Sequence, residues 1–211
     1  MAHTSIPVVE IVSDDLVSTS WAAFHRMVAR VTDASGEVHV ERRDYLNRGN
    51  AVALLPYCRE RSAVLLVRQF RLPVYENEPS ESMLLEVCGG IRQSGSAEEE
   101  ALREAEEELG IPLSNLRRAF TAYSSPGSIT EKIEYFVADY APDQAIPQKA
   151  GNIAEGERIT IHEFHLDTAK QMVATGEICD LRTVSLLYFL LLSIANDVKL
   201  QSQANETPAE F

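Results

Sequence analysis

Apolar positions come in short, alternating blocks through the first half of the chain and shift to helical spacing later. Residues 8–12 form a short apolar run, 21–31 are mixed and β-prone, 33–36 (Asp-Ala-Ser-Gly) are a turn signal, and 38–45 read as the hairpin partner. Residues 49–55 and 63–69 are strand candidates on either side of the polar Arg59-Glu60-Arg61 turn, and the apolar run 83–87 leads into Gly89 and Gly90. A helix is predicted over 97–109: it contains no Gly or Pro, Ser96 and Glu99 have capping-box spacing, and Gly110 with Pro112 supplies the stop. Strands are expected at 117–122, 132–140 and 158–164, with a polar loop over 141–156. Helices are expected at 167–175 and 181–195, and residues from 201 onward read as a disordered tail. Strands and helices alternate without a regular βαβ series and without internal repeats. The expected class is therefore α/β, a mixed β-sheet sandwiched between helices and preceded by an N-terminal β arm.

Composition narrows this picture without redirecting it. At 211 residues, 45% hydrophobic and 24% charged, the chain suits one sizeable globular domain plus an arm. The longest apolar run, 184–194, is interrupted by Ser185, Tyr188 and Ser193, too short to cross a bilayer. No basic-then-apolar leader precedes the first strand, so the expected setting is cytoplasmic. Cys58, Cys88 and Cys179 have no paired spacing, which favours reduced thiols over a disulfide or zinc framework.

Nineteen Lys and Arg face 32 Asp and Glu, a net charge of −13. Such a surface repels nucleic-acid backbones and anionic membranes, and neither is expected as a partner. An anionic small substrate would then need metal ions and a few placed arginines to overcome the field. The acid is concentrated: 98–108 holds seven glutamates and one arginine. At about 100° per residue, Glu104, Glu107 and Glu108 fall on one side of the helix, with Leu102, Ala105 and Leu109 on another as the expected docking seam. Carboxylates so placed repel one another unless a cation neutralises them, and hard divalent ions prefer carboxylate oxygens. A glutamate-rich helix by itself is more often a solvated face, so the helix alone does not decide the matter.

The wider spacing does. Gly89, Arg103, Glu104, Ala105, Glu107, Glu108, Gly110 and Ile111 stand in the register Gly, five residues, Glu, seven residues, Arg-Glu-apolar-any-Glu-Glu-any-Gly-apolar. The segment resembles the Nudix box. Gly95 is the departure, standing where the pattern has its first glutamate; Glu98 is nearby to compensate. The resemblance extends over about 37–195, through 42–50, 67–71, Ser125-Pro126-Gly127 with Glu131, and Gly176-Glu177-Ile178. These segments are similar to the ADP-ribose pyrophosphatase and GDP-mannose pyrophosphatase branch, with Asn50, Arg68-Gln69-Phe70-Arg71 and 135–140 nearer the GDP-mannose members.

The resemblance implies a Nudix fold, with 1–46 as an arm for homodimerisation, 47–198 as the hydrolase domain and 199–211 as the tail. It also implies Mg2+, or alternatively Mn2+, held by Glu104 and Glu108, with Glu107, Glu157 and the Cys88 carbonyl as further ligands. Arg43 and Arg71 match arginines that hold the phosphates or adjoining sugar of a nucleoside diphosphate sugar, a task suited to the guanidinium fork. A surface salt bridge is the competing reading for each. Glu155 matches the base that activates water and Glu131 is a second candidate, helping the metal site or bonding the loop; a solvated acidic loop is the alternative around Glu155. Dinucleotide polyphosphates, nucleoside triphosphates, or a nucleotide-binding module without turnover stay open. His162-Glu163-Phe164-His165 lacks the spacing of a zinc-protease helix and reads as a strand. Trp21 is open to stacking on a base across a dimer interface or to ordinary packing, and a buried thiol is the reading for Cys88.

Overall fold

The computed structural model describes residues 6–150 and 158–205. The chain divides into two compact units: one runs to Ala51 and also takes in Ala122–Ile133, the other comprises Val52–Thr121 and the chain from Glu134 onward. The first unit thus recruits a segment far from the N-terminus in sequence.

In the first unit, β1 (Val8–Thr19), β2 (Ala23–Thr32) and β3 (Val38–Asn47) form an antiparallel sheet in that order. The 33–37 turn closes through the Asp33 carboxylate, which accepts the N–H groups of Ser35 at 2.8 Å and Glu37 at 3.0 Å. β1 continues well past its apolar run because its polar residues find partners across the ladder. Asp14 takes the His25 ring at 3.1 Å and the Tyr45 hydroxyl at 3.1 Å. Beyond β3, Leu46 bridges to Ile129, and its N–H donates to the Ser128 carbonyl at 2.8 Å, which ties Ala122–Ile133 to the arm. Val8, Ile11, Val12, Leu16 and Val17 of β1 stay exposed.

The second unit is built on a seven-stranded mixed sheet. Its order is β7 (Ser114–Tyr123), β8 (Lys132–Asp139), β4 (Ala51–Cys58), β5 (Ala63–Phe70), β10 (Ile159–His165), β9 (Lys149–Ala150), with β6 (Met83–Glu86) also paired to β5. β4 and β5 are almost continuously apolar because both faces are covered. Val52, Leu54, Leu65 and Val67 share one core with Phe136, Ala138 and α2 (Ala97–Leu109). Residues of opposite parity, such as Leu55 and Leu66, are buried on the other face. There α3 (Leu166–Thr175) lies against β5 and β10, and Phe189 of α4 (Leu181–Asn205) packs on Phe120 with ring centroids 5.6 Å apart.

Three local differences from the sequence reading have physical causes. A short helix α1 (Leu72–Asn77) and a 3-10 turn (Pro79–Glu81) fill the span between β5 and β6, each with a proline in its first turn, where the missing N–H costs nothing. The loop expected over 141–156 yields β9, which finds β10 through the Ile159↔Ala150 pair. α4 runs on to Asn205, past the residue 195 at which the apolar pattern stops. No described helix is long and apolar enough to cross a membrane.

Candidate active site

Helix α2 begins where its capping box places it. Ser96 Oγ accepts the Glu99 N–H at 3.2 Å, and a Glu99 carboxylate oxygen accepts the Ser96 N–H at 2.9 Å. Gly110, left-handed at φ 62°, ends it by donating to the Glu106 carbonyl at 2.9 Å. The docking seam is Ala97, Ala101, Ala105 and Leu109, one residue per turn, and the first three are small enough to let the helix lie close on the sheet. This corrects the expected seam in one residue. Leu102 is 40% exposed and faces away, and Ala101 takes its place.

Seating the helix on alanines brings its glutamates down onto the loop that follows β6. That loop is fastened to β4, with Leu54 N–H donating to the Cys88 carbonyl at 2.8 Å and Val52 N–H to the Gly90 carbonyl at 3.0 Å. Val87 N–H donates to the Thr183 hydroxyl of α4 at 2.9 Å. A Glu108 carboxylate oxygen, in a side chain 5% exposed, accepts the Gly89 N–H at 3.1 Å. The Glu104 carboxylate lies close against Gly90, so a β-carbon there would force that side chain to shift. Cys88 is wholly buried beside Glu108; burial and that carboxylate push its thiol well up, as suits an inert packing residue.

Arg103 organises the remaining carboxylates. Its guanidinium reaches Glu100 at 2.7 Å, Glu104 at 2.6 Å and Glu107 at 2.6 Å, which holds Arg103 firmly protonated. Burial raises the Glu104 carboxyl above its ordinary range; Arg103 opposes the shift, and Glu107 and Glu100 add to it. Glu100 goes the other way, lowered chiefly by its bond to Arg103. Among the described residues no three His, Cys, Asp or Glu side chains gather round a common metal position. Glu104, Glu107 and Glu108 leave one side of the helix but do not converge, since Arg103 draws the first two and Gly89 the third. The donors still fit a hard divalent cation: carboxylate oxygens on adjoining turns, one of them desolvated and crowded by like charge.

Arg71 sits just past β5. It forks onto Glu86 of β6, with Nη2 at 2.6 Å and Nε at 3.0 Å from the carboxylate. Glu86 is only 3% exposed and has Arg182 3.5 Å away on its other side. Arg182 also meets Asp180 at 3.5 Å, and Asp180 caps α4 by accepting the Thr183 N–H at 2.9 Å. Arg71 therefore has a prebuilt mount, which the sequence reading missed. The available signal was a lone acid in an otherwise apolar strand.

The other assigned residues fall elsewhere. Arg43 belongs to the arm unit, largely exposed and 3.3 Å from Glu41. It lines an open cleft of about 710 Å³ with Tyr45, Asn47, Tyr123 and the 126–130 segment. Glu131, in the same unit, is buried and pairs with Arg48 at 3.1 Å, and the Arg48 guanidinium lies over Trp21, 5.5 Å from the ring centre. Arg48 is a second residue passed over in the sequence. Glu155 and Glu157 lie outside the described residues. Glu98 pairs with Arg118 at 2.8 Å, so it does not replace the box glutamate missing at Gly95. The His162–His165 segment is strand, as expected.

A sheet covered on both faces, with a glutamate helix seated over a glycine loop, defines the class of protein. The NUDIX domain family matches residues 47–177, and the chain belongs to that family. Nudix hydrolases generally use divalent metal ions. Among curated relatives, a GDP-mannose pyrophosphatase of Yersinia enterocolitica serotype O:8 / biotype 1B is 36% identical over 181 residues, covering 86% of this chain and 94% of that protein. A GDP-mannose pyrophosphatase of Klebsiella pneumoniae subsp. pneumoniae is 34% identical over 185 residues, 88% of this chain and 92% of that one. A crystal structure of an ADP compounds hydrolase aligns with a TM-score of 0.65 over 93% of this chain and 98% of that one; at 18% identity it speaks to the fold alone.

Proposed function

We propose that this protein hydrolyses the pyrophosphate bond of a nucleoside diphosphate sugar, GDP-mannose ahead of ADP-ribose, to a nucleoside monophosphate and a sugar phosphate. The observation that carries the reading is α2 itself, which sets Glu104 and Glu108 against the Gly89-Gly90 backbone. The names of the 34–36% identical relatives supply the substrate class.

Glu104 and Glu108 would hold Mg2+, with Mn2+ as a substitute. Glu107, Glu157 and the Cys88 carbonyl are further donors; that oxygen has two lone pairs, of which Leu54 engages one. The bound ion supplies charge neutralisation at the phosphate oxygens and a lowered pKa for the attacking water. Glu155 accepts the water proton as the new P–O bond forms and the bridging P–O bond breaks, the electron pair leaving with the departing phosphate. Arg71 and Arg43 grip phosphate or sugar oxygens and fix the line of attack. Glu131 keeps Arg48 in place. A homodimer formed through the arm is part of the proposal, because it would cover the exposed apolar residues of β1. A cytoplasmic setting agrees with three free cysteines, two of them buried.

Purified protein should be incubated with Mg2+ and GDP-mannose, ADP-ribose, GTP or a dinucleotide polyphosphate, and the products separated. GMP plus mannose 1-phosphate, formed faster than any other product pair, is expected. Release of phosphate or pyrophosphate from GTP as the dominant reaction, or no turnover of either diphosphate sugar, would overturn the proposal.

A further inference from the structure

The family pattern puts a glutamate where this chain has Gly95, and the local backbone conformation favours glycine there. Gly95 has φ +81°, and a β-carbon at this position would lie 2.7 Å from a Glu99 carboxylate oxygen. That carboxylate is already engaged in the Ser96 capping box. A carboxylate at 95 would meet both backbone strain and like charge. The neighbouring acid, Glu98, is turned outward to Arg118.

Glu100 lies two residues further along α2, round the helix from Glu98, and is only 4% exposed. Buried carboxylates need compensating partners, and Glu100 has two from different elements. Its Oε1 takes the Arg103 guanidinium at 2.7 Å and the backbone N–H of Gln93 at 3.3 Å. Gln93 belongs to the loop that carries Gly89 and Gly90. One carboxylate therefore ties that loop to the helix and holds the arginine that contacts Glu104 and Glu107.

We propose that Glu100 is the positioning residue that replaces the missing box glutamate: it anchors Arg103 and the 89–96 loop so that Glu104 keeps the orientation needed to bind a divalent cation. The proposal deepens the hydrolase reading and rests on it for the role of Glu104. Without Glu100, the Arg103 charge falls wholly on Glu104 and Glu107 and competes with the cation for the same oxygens.

The test compares wild type, Glu100→Gln and Glu98→Gln. Mn2+ binding without substrate is followed by paramagnetic resonance, alongside thermal melting of the metal-free protein. Glu100→Gln can still accept from Gln93 but loses the ion pair; its Mn2+ Kd and its half-activating Mg2+ concentration should rise by about 10- to 100-fold. The KM for GDP-mannose at saturating Mg2+ should stay within about threefold, since the residue does not touch substrate. Glu98→Gln should bind Mn2+ as wild type does. A folded Glu100→Gln with wild-type Mn2+ affinity, even one with a lowered Tm, overturns the proposal and leaves a purely structural carboxylate; an equal loss in Glu98→Gln overturns it too. If Glu100→Gln fails to fold, Glu100→Asp, which restores charge at a shorter reach, must recover folding with weakened Mn2+ binding, and wild-type affinity there counts against the idea. Because Mn2+ binding is read without substrate, failure of the diphosphate-sugar assay is distinguishable from failure here.

Discussion

Arg71 and Glu86 illustrate how one side chain holds another in place. Glu86 is buried and Arg71 part-exposed, so the carboxylate acts as a fixed mount for a guanidinium that solvent still reaches. Arg71→Lys keeps the charge on Glu86 but loses the fork, and KM for GDP-mannose should rise about tenfold with a smaller change in kcat. An unchanged KM in steady-state kinetics would remove Arg71 from substrate binding. Arg71→Ala leaves Glu86 with Arg182 at 3.5 Å and should lower stability by about 1–3 kcal/mol in denaturant unfolding. At this scale the sequence was informative where spacing is strict. Glu104 and Glu108 were legible because helix periodicity and the box register agree. Glu86 and Glu100 were not, because their roles depend on partners 15 residues away in the chain or on a turn whose shape Gly95 sets.

Helix α2 was the most legible element, since its start, stop and lack of breakers are all local signals. Its facing was less so: choosing Leu102 over Ala101 for the seam follows hydrophobicity, whereas close packing on the sheet selects the smaller side chain. α1 and β9 escaped because six and two residues carry no periodicity to read. The cap gives a clean test. Ser96→Ala should cost about 1 kcal/mol in chemical unfolding. Glu99, its reciprocal partner, has a carboxyl depressed chiefly by the Ser96 N–H. A carboxyl depressed in the folded state adds stability that is present above the unfolded value and lost as pH falls through the folded one. The difference between wild type and Glu99→Gln should therefore shrink as the solution is acidified below the ordinary glutamate range. A difference that grew with acidification would contradict the capping assignment.

At the scale of the whole molecule, the arm and the hydrolase sheet are separate compact units, and the arm's first strand carries a row of exposed valines, isoleucine and leucine. The sequence showed the arm as β structure, but the recruitment of Ala122–Ile133 depends on the Leu46–Ile129 bridge, a contact between segments far apart in the chain. If the arm joins two copies, Ile11→Asp should shift the sedimentation profile from dimer to monomer; a wild-type monomer would refute the dimer outright. With a net charge of −13 the protein repels a diphosphate substrate, and a cation held on the α2 carboxylates, as proposed, would offset that field. The most direct test is the rate of GMP formation from GDP-mannose by Glu108→Gln at saturating Mg2+, with circular dichroism to verify folding. A loss of more than about 100-fold in a folded variant is predicted, and a wild-type rate would contradict the assignment of the chemistry to this helix.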